Sequence, residues 1–499
     1  MDASPPDRRT PAPAAAALAA LAAAQFAVTL STSIVNVALP AVRDGVGLSD
    51  AGMSWVVNAY GLAFGALLLL GGRAADLLGR RRVLTAGLAV FTVAAVAAGL
   101  ASTPWMLVTA RTAQGVGAAA IAPAALSLVM RLHPPGTARA RALGVWGAVS
   151  GAGGAAGVVL GGILTEGPGW PWVFHASGVG AAVVLAATLR LVPADRKEDA
   201  EPRSRLDAAG ALTVTSGLVA LVFGLTAAGR SGWTDPLVLG SFGAAAVLLT
   251  LFVRLERRHP APLLPPRLLT RGAAGPANLV MALLGAVWVG LFFFLPLYQQ
   301  QVLGASALAA GLSQLPLAAA NMIGSGLAPA LARRIGPHRT LLAGLAVQAA
   351  GFLWLARIPA DGTFLVHLLG PVLLVGAGLG TAFVQLTGAA VDGVEPADAG
   401  VAGGLVNTTR QVGGAVGLAV LGTLAAARTA ASDLPRTAAL TEGYRAAFLM
   451  SAAVLGVGAA LTPLLARGTR PPRGTVPAAP PSPTAVRPPS RTRTRTRTR

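Results

Sequence analysis

The sequence predicts an all-α protein that crosses a membrane many times, and its composition and its apolar pattern both support this fold class. The chain has 499 residues, of which 54% are hydrophobic and 12% are charged, whereas a soluble domain carries roughly 25% charged residues. The apolar residues form runs of about 20 residues, the length that spans a bilayer core. Short basic segments separate these runs. The composition therefore excludes a disordered chain and disfavours a soluble globular protein.

Fourteen apolar segments follow one another along the chain, and we number them as spans 1 to 14. Glycine is frequent in them, as it is where transmembrane helices pack closely. Pro123, Pro316 and Pro371 lie inside spans, where membrane helices tolerate proline as a kink. The predicted limits are 14–40, 53–72, 83–101, 105–130, 142–165, 172–191, 207–228, 236–253, 276–300, 307–331, 340–357, 363–391, 399–427 and 446–466.

The arginine distribution predicts the orientation of the spans. The loops after even-numbered spans hold most of the arginines, among them Arg80, Arg131 and Arg333, whereas the loops after odd-numbered spans hold few. Because arginine-rich loops face the cytoplasm, we predict that both termini are cytoplasmic. Lys197 is the single lysine, which we interpret as GC-rich codon usage. The expected location is therefore a bacterial cytoplasmic (plasma) membrane.

The net charge and the cysteine content limit the possible partners. The net charge of +20 is of a size that often indicates nucleic-acid binding. Here membrane topology explains the arginines better, so we expect no nucleic-acid partner. The chain has no cysteine, which excludes disulfides, thiolate metal sites and cysteine nucleophiles, and we expect no metal.

Short sequence matches recur at nearly one offset, which indicates an internal repeat. Gly79 and Arg82 return as Gly336 and Arg339, and the stretch 153–157 returns as 413–417. The offset equals eight spans, so spans 1–6 pair with spans 9–14 and spans 7 and 8 are an insertion. Two such six-helix halves are typical of transporters with a site at the midplane. The predicted organisation is a cytoplasmic N-terminal tail at 1–13, an N-terminal six-helix half at 14–191, two inserted helices with cytoplasmic linkers at 192–275, a C-terminal six-helix half at 276–467, and a disordered Pro/Arg-rich cytoplasmic tail at 468–499.

A loop rich in glycine and charge follows span 2 and is a candidate gating motif. Glycine permits a tight turn there, and an aspartate lies close in sequence to a group of arginines. Such a charge cluster can hold neighbouring helices together and release them when two halves move. The alternative is an ordinary positively charged loop, which explains the arginines but not the aspartate. The candidate residues are Gly72, Asp76, Gly79, Arg80 and Arg81.

This loop and several other motifs make the chain resemble the fourteen-helix drug:proton antiporter branch of the major facilitator superfamily. The loop matches the signature Gly-x-Leu-Ala-Asp-x-x-Gly-Arg-Arg, with Ala74 in place of leucine. In span 4, the stretch 111–115 matches Arg-x-x-Gln-Gly, and the stretches 34–40 and 407–415 are also typical of this branch. Span 5 resembles the antiporter glycine motif, with Val158 where proline is usual; its glycines are Gly153, Gly157, Gly161 and Gly162.

The resemblance implies a secondary active transporter with the major facilitator fold, in which two inserted helices accompany two six-helix halves. It implies multidrug, antibiotic or metabolite efflux of small amphiphilic molecules, by alternating access driven by the proton gradient and without a cofactor. The expected partners are a small-molecule substrate, protons and the lipid bilayer, and we expect a monomer. An enzyme is not expected, because the sequence lacks a P-loop, zinc-ligand spacing and Gly-x-Ser-x-Gly. A facilitator or a non-transporting sensor on the same fold remains an alternative.

Arg111 lies inside an apolar span, where a charge is costly and a functional role is the first hypothesis. By resemblance, Arg111 and Gln114 belong to proton coupling; the alternative is a structural arginine satisfied by carbonyl groups and by Gln114. Ser31 stands in span 1 where the family often has aspartate, and no carboxylate lies in the middle of any span. A buried carboxylate is the usual proton carrier, so the identity of the carrier stays open.

Polar and bulky residues inside the spans are candidates for the substrate cavity, although some serve as interhelical hydrogen bonds. Because a desolvated cation needs an acidic partner, we predict a preference for neutral or anionic amphiphiles, and improved cation export by Ser31→Asp. His367 in span 12 is a candidate for titration near neutral pH, or else a hydrogen-bonded helix residue. The candidate cavity residues are Ser31, Asn36, Trp146, Trp288, Asn321, Gln385 and Arg410.

Overall fold

The computed structural model of the protein describes residues 12–133, 136–195, 207–259, 262–264, 273–392, 394 and 399–468. The regular structure in these residues is helical, and they contain no strand. The predicted tail at 468–499 lies outside the described residues beyond Gly468. The same holds for the predicted tail at 1–13 up to residue 11, and for most of the linkers on either side of spans 7 and 8.

Sixteen helices, numbered here in chain order, account for the fourteen predicted spans. Helices α1 to α9 correspond to spans 1 to 9, α10 and α11 together form span 10, α12 to α14 correspond to spans 11 to 13, and α15 and α16 together form span 14. Their bounds are α1 Ala12–Val46, α2 Asp50–Leu78, α3 Arg80–Gly99, α4 Pro104–Leu132, α5 Thr137–Glu166, α6 Pro171–Leu191, α7 Ala208–Ser231, α8 Pro236–Arg258, α9 Ala274–Gln301, α10 Ala307–Leu312, α11 Leu315–Ile335, α12 Pro337–Leu355, α13 Leu369–Val391, α14 Ala399–Ala430, α15 Arg436–Leu461 and α16 Pro463–Gly468.

Thirteen segments of the described chain are long and apolar enough to cross a membrane, and they include every predicted span except span 11. Span 11 is α12, a helix of 19 residues. His338 and Arg339 lie in its first turn and Gln348 lies near its middle, so its mean hydropathy is lower. It packs against α13 and α15 in the same bundle. The predicted all-α polytopic membrane fold is confirmed.

Two spans depart from a single regular α-helix. Span 10 is interrupted at Ser313, just before Pro316, which occupies the first turn of α11, where its missing N–H costs no hydrogen bond. Span 12 begins with a π-helical turn, Phe364–Leu368, in which the Leu369 N–H donates to the Phe364 carbonyl oxygen. Pro371 follows this turn and cannot donate a backbone hydrogen bond. Both irregularities therefore coincide with prolines in the sequence.

Glycines make the same helix contact in both halves of the molecule. Helix α5 packs on α1, where a Cβ at Gly157 would lie 2.9 Å from the Leu30 carbonyl oxygen. The equivalent helices of the second half, α14 and α9, meet at Gly417, where a Cβ would lie 2.4 Å from Ala286 Cα. In each case a missing side chain lets two helices approach closely. The internal repeat in the sequence is thus repeated in the packing.

The turns at the start of α3 and α12 show the same correspondence. Gly79 and Gly336, which match in sequence, have φ angles of +104° and +86°, a conformation that glycine adopts without steric cost. Each glycine joins two successive helices without a further loop.

The inserted helices α7 and α8 pack against each other, and α7 also contacts both α2 and α14. A hydrogen bond from Thr423 Oγ1 on α14 to the Leu225 carbonyl oxygen on α7 measures 2.9 Å. An apolar cluster covers the rest of this contact. Its buried members are Leu62 and Ala66 of α2, Leu218 and Val222 of α7, and Ala415 and Ala419 of α14.

The two halves pack against each other along α2 and α14, and side-chain hydrogen bonds also join them at one end of the bundle. We call the end where α2 meets α3 and α4 meets α5 the basic end, and the other the opposite end. Among the described residues, two side-chain hydrogen bonds join the halves, from Gln300 Nε2 to the Val37 carbonyl oxygen at 2.9 Å and from the Leu308 N–H to Glu166 Oε1 at 2.6 Å. Both lie at the opposite end. Toward the basic end of α5, Leu143 is exposed.

Candidate transport site

Arg111 lies on α4 with 1% of its surface exposed, and acceptors from three helices surround its guanidinium. Nε donates to the Val56 carbonyl oxygen of α2 at 3.0 Å. Nη1 donates to the Ser31 hydroxyl of α1 at 3.2 Å and to Gln114 Oε1 of α4 at 2.6 Å. These acceptors are neutral, so they satisfy the hydrogen bonds without neutralising the charge. A positive charge therefore persists inside the first half.

Tyr60, which the sequence reasoning missed, covers this guanidinium. Its ring centroid lies 4.4 Å from Arg111 Cζ, within the range of a cation–π interaction. Its hydroxyl donates to the Val28 carbonyl oxygen at 3.1 Å. Tyr60 is also within electrostatic reach of Arg410 in the other half. Its rarity could have singled out Tyr60 in the sequence, because the chain has 3 tyrosines and this one lies inside a span.

Arg410 lies on α14 and is held by side chains of the second half. Its Nη2 donates to Asn407 Oδ1 at 2.7 Å, and its Cζ lies 5.2 Å from the ring centroid of Trp288 on α9. Phe383 on α13 meets Trp288 edge to face at 5.7 Å. Asn407 and Phe383 were not on the predicted list of cavity residues. Arg410, Asn407, Trp288 and Phe383 are all partly exposed, so the group faces an accessible space.

The two arginines lack acidic partners. Within the part of the chain that the structure describes, no ion pair involves Arg111 or Arg410. Arg111 belongs to the first half and Arg410 to the second, and Tyr60 lies within electrostatic reach of both. The seam between the halves is therefore positively charged, as the absence of mid-span carboxylates in the sequence predicts.

Three other predicted cavity residues make contacts within or between helices of one half. Asn36 Nδ2 donates to the Thr32 carbonyl oxygen at 3.4 Å. Gln385 Nε2 donates to the Ala328 carbonyl oxygen at 3.3 Å, which links α13 to α11. Asn321 Oδ1 accepts from a serine one turn later on α11 at 3.4 Å. These contacts match interhelical or local hydrogen bonding.

Trp146 and His367 lie away from the arginines. Trp146 is partly buried and packs against the apolar core of the first half. His367 Nδ1 accepts from the Thr363 N–H at 3.0 Å, so its ring ties down the start of span 12. That contact agrees with the alternative interpretation of His367 as a hydrogen-bonded helix residue.

The glycine motif of α5 brings this helix against both halves. Cβ atoms at Gly153 and Gly161 would lie 3.0 Å and 2.5 Å from carbonyl oxygens of α1. At Gly162, a Cβ would lie 2.5 Å from Leu308 Cα on α10. Val158, which stands where proline is usual, is 1% exposed, and its carbonyl group packs against Gly311 of α10. Small residues thus let α5 fit between α1 and α10.

The candidate gating loop lies at the basic end, and its described contacts stay within the first half and the start of the linker that follows it. Arg80 Nη2 and Asp76 Oδ1 are 3.2 Å apart on a partly exposed surface. The backbone N–H groups of Arg81 and Arg82 each donate to the Asp195 carboxylate at 3.1 Å. Asp195 follows α6 and was missed by the sequence reasoning, because it pairs with backbone groups far away in the chain.

The two glycines of this loop have different surroundings. Gly72 lies beside Pro123 of α4, where a Cβ would have ordinary van der Waals contact at 3.6 Å. Gly79 combines its positive φ with a close approach, because a Cβ there would lie 2.5 Å from Asp195 Oδ2. A side chain at Gly79 would therefore displace the carboxylate that binds the start of α3.

Two buried carboxyl groups lie outside the seam, on the inserted helices. Asp207 accepts from the Gly210 N–H at 2.7 Å and caps α7. Glu256, near the end of α8, accepts from the N–H groups of Leu263 and Leu264 at 3.1 Å and 3.2 Å. Both groups bind backbone amides and so have a structural role.

The sequence and the fold match a known family. The sequence pattern of the Major Facilitator Superfamily fits residues 21–418. The chain belongs to this superfamily. The resemblance inferred from its motifs is confirmed, and the chain is a multi-pass membrane transporter and not an enzyme.

Curated members of the superfamily align with this chain over most of their length. The cephamycin export protein CmcT of Amycolatopsis lactamdurans is 41% identical, over 92% of this chain and 94% of its own. The puromycin resistance protein pur8 of Streptomyces alboniger is also 41% identical, over 89% and 90%. The tetracenomycin C resistance and export protein of Streptomyces glaucescens is 33% identical, over 84% and 79%.

Solved structures of superfamily members share the fold at low sequence identity. A bacterial homologue of the human lysosomal transporter Spinster, in an inward-facing and unoccupied conformation, has a TM-score of 0.66 and 16% identity, over 92% of this chain and 98% of that one. The human organic anion transporter MFSD10 has a TM-score of 0.58 and 16% identity, over 92% and 100%.

Proposed function

We propose that the chain exports small amphiphilic organic molecules, antibiotics or related metabolites, across a bacterial cytoplasmic membrane by alternating access. The observation that carries this proposal is the seam, where Arg111 of the first half lies 4.4 Å from the Tyr60 ring and Arg410 of the second half lies 5.2 Å from the Trp288 ring. A site shared by two halves is what alternating access needs, because movement of the halves opens it to one side and then to the other. Relatives named as cephamycin, puromycin and tetracenomycin C proteins support the substrate class.

The energy source in this proposal is the proton gradient. Arg111 takes part in coupling because its guanidinium ties α1, α2 and α4 together through three hydrogen bonds. A rearrangement of these helices has to exchange those bonds, and a buried charge makes that exchange sensitive to the electrostatics of the seam. Coupling is therefore expected to depend on the guanidinium geometry as well as on the charge.

The basic end faces the cytoplasm in this proposal, which places both termini there. Glu166 and Gln300 hold the halves together at the opposite end, so in this proposal the site opens toward the cytoplasm when α2 and α14 separate at the basic end. The Asp76–Arg80 pair belongs to the cytoplasmic gate in this proposal, and its partner surface is released when the halves move. A monomer is sufficient, because both halves of the site belong to one chain.

A facilitator is the second candidate, and Ser31 favours it. The hydroxyl of Ser31 occupies the position beside Arg111 at which the family resemblance implies a carboxylate, so a common proton carrier is missing. A facilitator would let its substrate run down its own gradient and would not respond to protons.

Everted membrane vesicles from a pump-deficient bacterial host test the proposal. Uptake of a fluorescent amphiphile into these vesicles reports export, and a protonophore removes the proton gradient. We expect uptake that depends on the chain and stops when the protonophore is added. If uptake depends on the chain but does not change when the protonophore is added, the chain is a facilitator. If no amphiphile is taken up in a chain-dependent way, both the antiporter and the facilitator proposals are contradicted.

A further inference from the structure

We propose that Arg410 binds an anionic oxygen group of the substrate, a carboxylate above all, so that the chain selects organic anions over organic cations. The inference rests on the export function proposed above and specifies its substrate class. Its starting point is a charge without a partner in the middle of the bundle.

Arg410 lies well inside span 13, about one third of the way along α14 from the basic end. Arg410 lies roughly 16 Å along α14 from Ala399, and Trp288 lies roughly 21 Å along α9 from Ala274, at 1.5 Å per residue. A bilayer core is about 30 Å thick. The group therefore lies inside the bilayer core, the region in which superfamily transporters hold their substrates.

The side chains around Arg410 fix its orientation and leave donors available. Trp288 covers one face of the guanidinium at 5.2 Å, and Asn407 Oδ1 accepts from Nη2 at 2.7 Å. A guanidinium has five N–H donors in a planar fork, and that fork fits a carboxylate through two parallel hydrogen bonds. Asn407 is the one side-chain acceptor that the described residues offer Arg410, so a ligand finds a pre-oriented cation.

The electrostatics of the seam give the sign of the ligand. Arg111 adds a second positive charge, and its contacts with Val56, Ser31 and Gln114 are all to neutral groups. At low dielectric, an unneutralised cation attracts an anion and repels another cation far more strongly than in water. A cationic substrate would meet two like charges, whereas an anionic substrate would supply the missing counter-charge.

The aromatic groups beside Arg410 suit the apolar body of such a molecule. Phe383 meets Trp288 edge to face at 5.7 Å, and both rings are partly exposed. A ligand that places its anionic group on Arg410 therefore has aromatic surface within reach, which suits a flat or polycyclic body.

Three probes that share a naphthyl ring and differ in charge test the inference: 1-naphthylacetate, 1-naphthylacetamide and (1-naphthylmethyl)trimethylammonium. Their binding to the purified full chain in lipid nanodiscs is measured by calorimetry, without any ion gradient. We expect naphthylacetate to bind the unmodified chain about 10-fold or more tightly than the ammonium probe, as an unneutralised cation requires.

Variants at one position then locate the effect. Arg410→Gln should weaken naphthylacetate binding by roughly 10- to 100-fold, the range for losing hydrogen bonds to a charged group, and should leave naphthylacetamide within about 2-fold. Arg410→Lys keeps the charge but loses the planar fork, so an intermediate loss is expected. Arg428→Gln removes the same residue type from the exposed far end of α14 and is the matched control.

Two outcomes would overturn the inference. One is equal binding of the acetate and ammonium probes by the unmodified chain, a result that needs no variant to fold. The other is an equal loss of all three probes in Arg410→Gln, which would assign Arg410 a structural role. Because binding is measured without a gradient, either failure leaves proton-driven export standing. Conversely, selective binding without export in vesicles would contradict the proposed function alone.

Discussion

Ser31 shows how a single residue sets the charge of the seam, because its hydroxyl lies 3.2 Å from Arg111 Nη1. An aspartate there would place a carboxylate against that guanidinium and neutralise it. We expect Ser31→Asp to improve export of quaternary ammonium compounds, because the positive potential at the seam falls. Growth of a pump-deficient host in graded concentrations of such a compound measures the change. Ser31→Asn is the uncharged control, and equal tolerance in both variants would contradict the argument.

Arg111 allows a test of geometry separate from charge. Its planar guanidinium reaches Val56, Ser31 and Gln114 at once, and a lysine ammonium does not reproduce this fork. We expect Arg111→Lys to lower the initial export rate by about 10-fold or more, since hydrogen bonds of a charged group contribute roughly 1.5–3 kcal/mol. Rates in everted vesicles are compared at equal amounts of chain in the membrane, with Arg428→Lys as control. Wild-type rates in Arg111→Lys would show that charge alone suffices.

The sequence predicts only those residue contacts that join positions close together in the chain. Arg111 and Gln114 are three positions apart, and such residues face each other on a helix; the structure places them in contact. The contact of Arg410 with Trp288 joins α14 to α9, and that of Arg111 with Tyr60 joins α4 to α2. Such contacts depend on how each helix is rotated about its axis, which weakly amphipathic membrane helices do not encode in their pattern.

At the level of helices, the contact of α5 with α1 depends on missing side chains. A Cβ at Gly161 would lie 2.5 Å from the Ile34 carbonyl oxygen, whereas nothing lies within 4 Å of a Cβ at Gly151 on the same helix. We expect Gly161→Ala to destabilise the chain by about 1–3 kcal/mol, the usual cost of overpacking. The matched control Gly151→Ala should be neutral or slightly stabilising, because alanine is the better helix former. Unfolding temperatures of the purified variants measure both effects, and equal temperatures would contradict close packing.

Glu166 at the end of α5 should hold the opposite end closed, because its carboxylate accepts the Leu308 N–H of the other half at 2.6 Å. An amide oxygen is a weaker acceptor than a carboxylate, so Glu166→Gln should increase the population that is open at this end. Spin labels on the ends of α5 and α10 report the distance. The absence of native cysteine lets each label react at one introduced position. Glu442→Gln, an exposed carboxylate on α15, is the control; identical distance distributions would contradict the role of Glu166.

The sequence also predicts most helices but not their interruptions. Runs of apolar residues fix where the spans lie, and thirteen of them qualify by length and composition. The break at Ser313 and the π-helical turn at Phe364–Leu368 lie within apolar segments, so hydropathy alone does not reveal them. Prolines mark their neighbourhood, yet a proline in a membrane helix is also compatible with a simple kink.

For the whole molecule, an anionic substrate makes transport sensitive to the membrane potential. If one proton enters for each monoanion that leaves, two charges move inward per cycle, and a potential of 100 mV contributes about 4.6 kcal/mol. We expect valinomycin-imposed potentials, inside negative, to accelerate efflux of naphthylacetate from proteoliposomes at equal pH on both sides. Naphthylacetamide is the matched neutral substrate and should respond less. Efflux of the two probes with the same dependence on potential would contradict net charge movement by the substrate.

The position of α7 determines where sliding can take place inside the molecule. A hydrogen bond of 2.9 Å fastens α7 to α14 through Thr423, whereas the buried residues of α2 in this cluster, Leu62 and Ala66, are apolar. Apolar contacts have no preferred direction, whereas a hydrogen bond has to break when its partners separate. The inserted pair should therefore travel with the second half as a single rigid body. The apolar interface between α7 and α2 is then the surface at which the first half moves relative to the inserted pair.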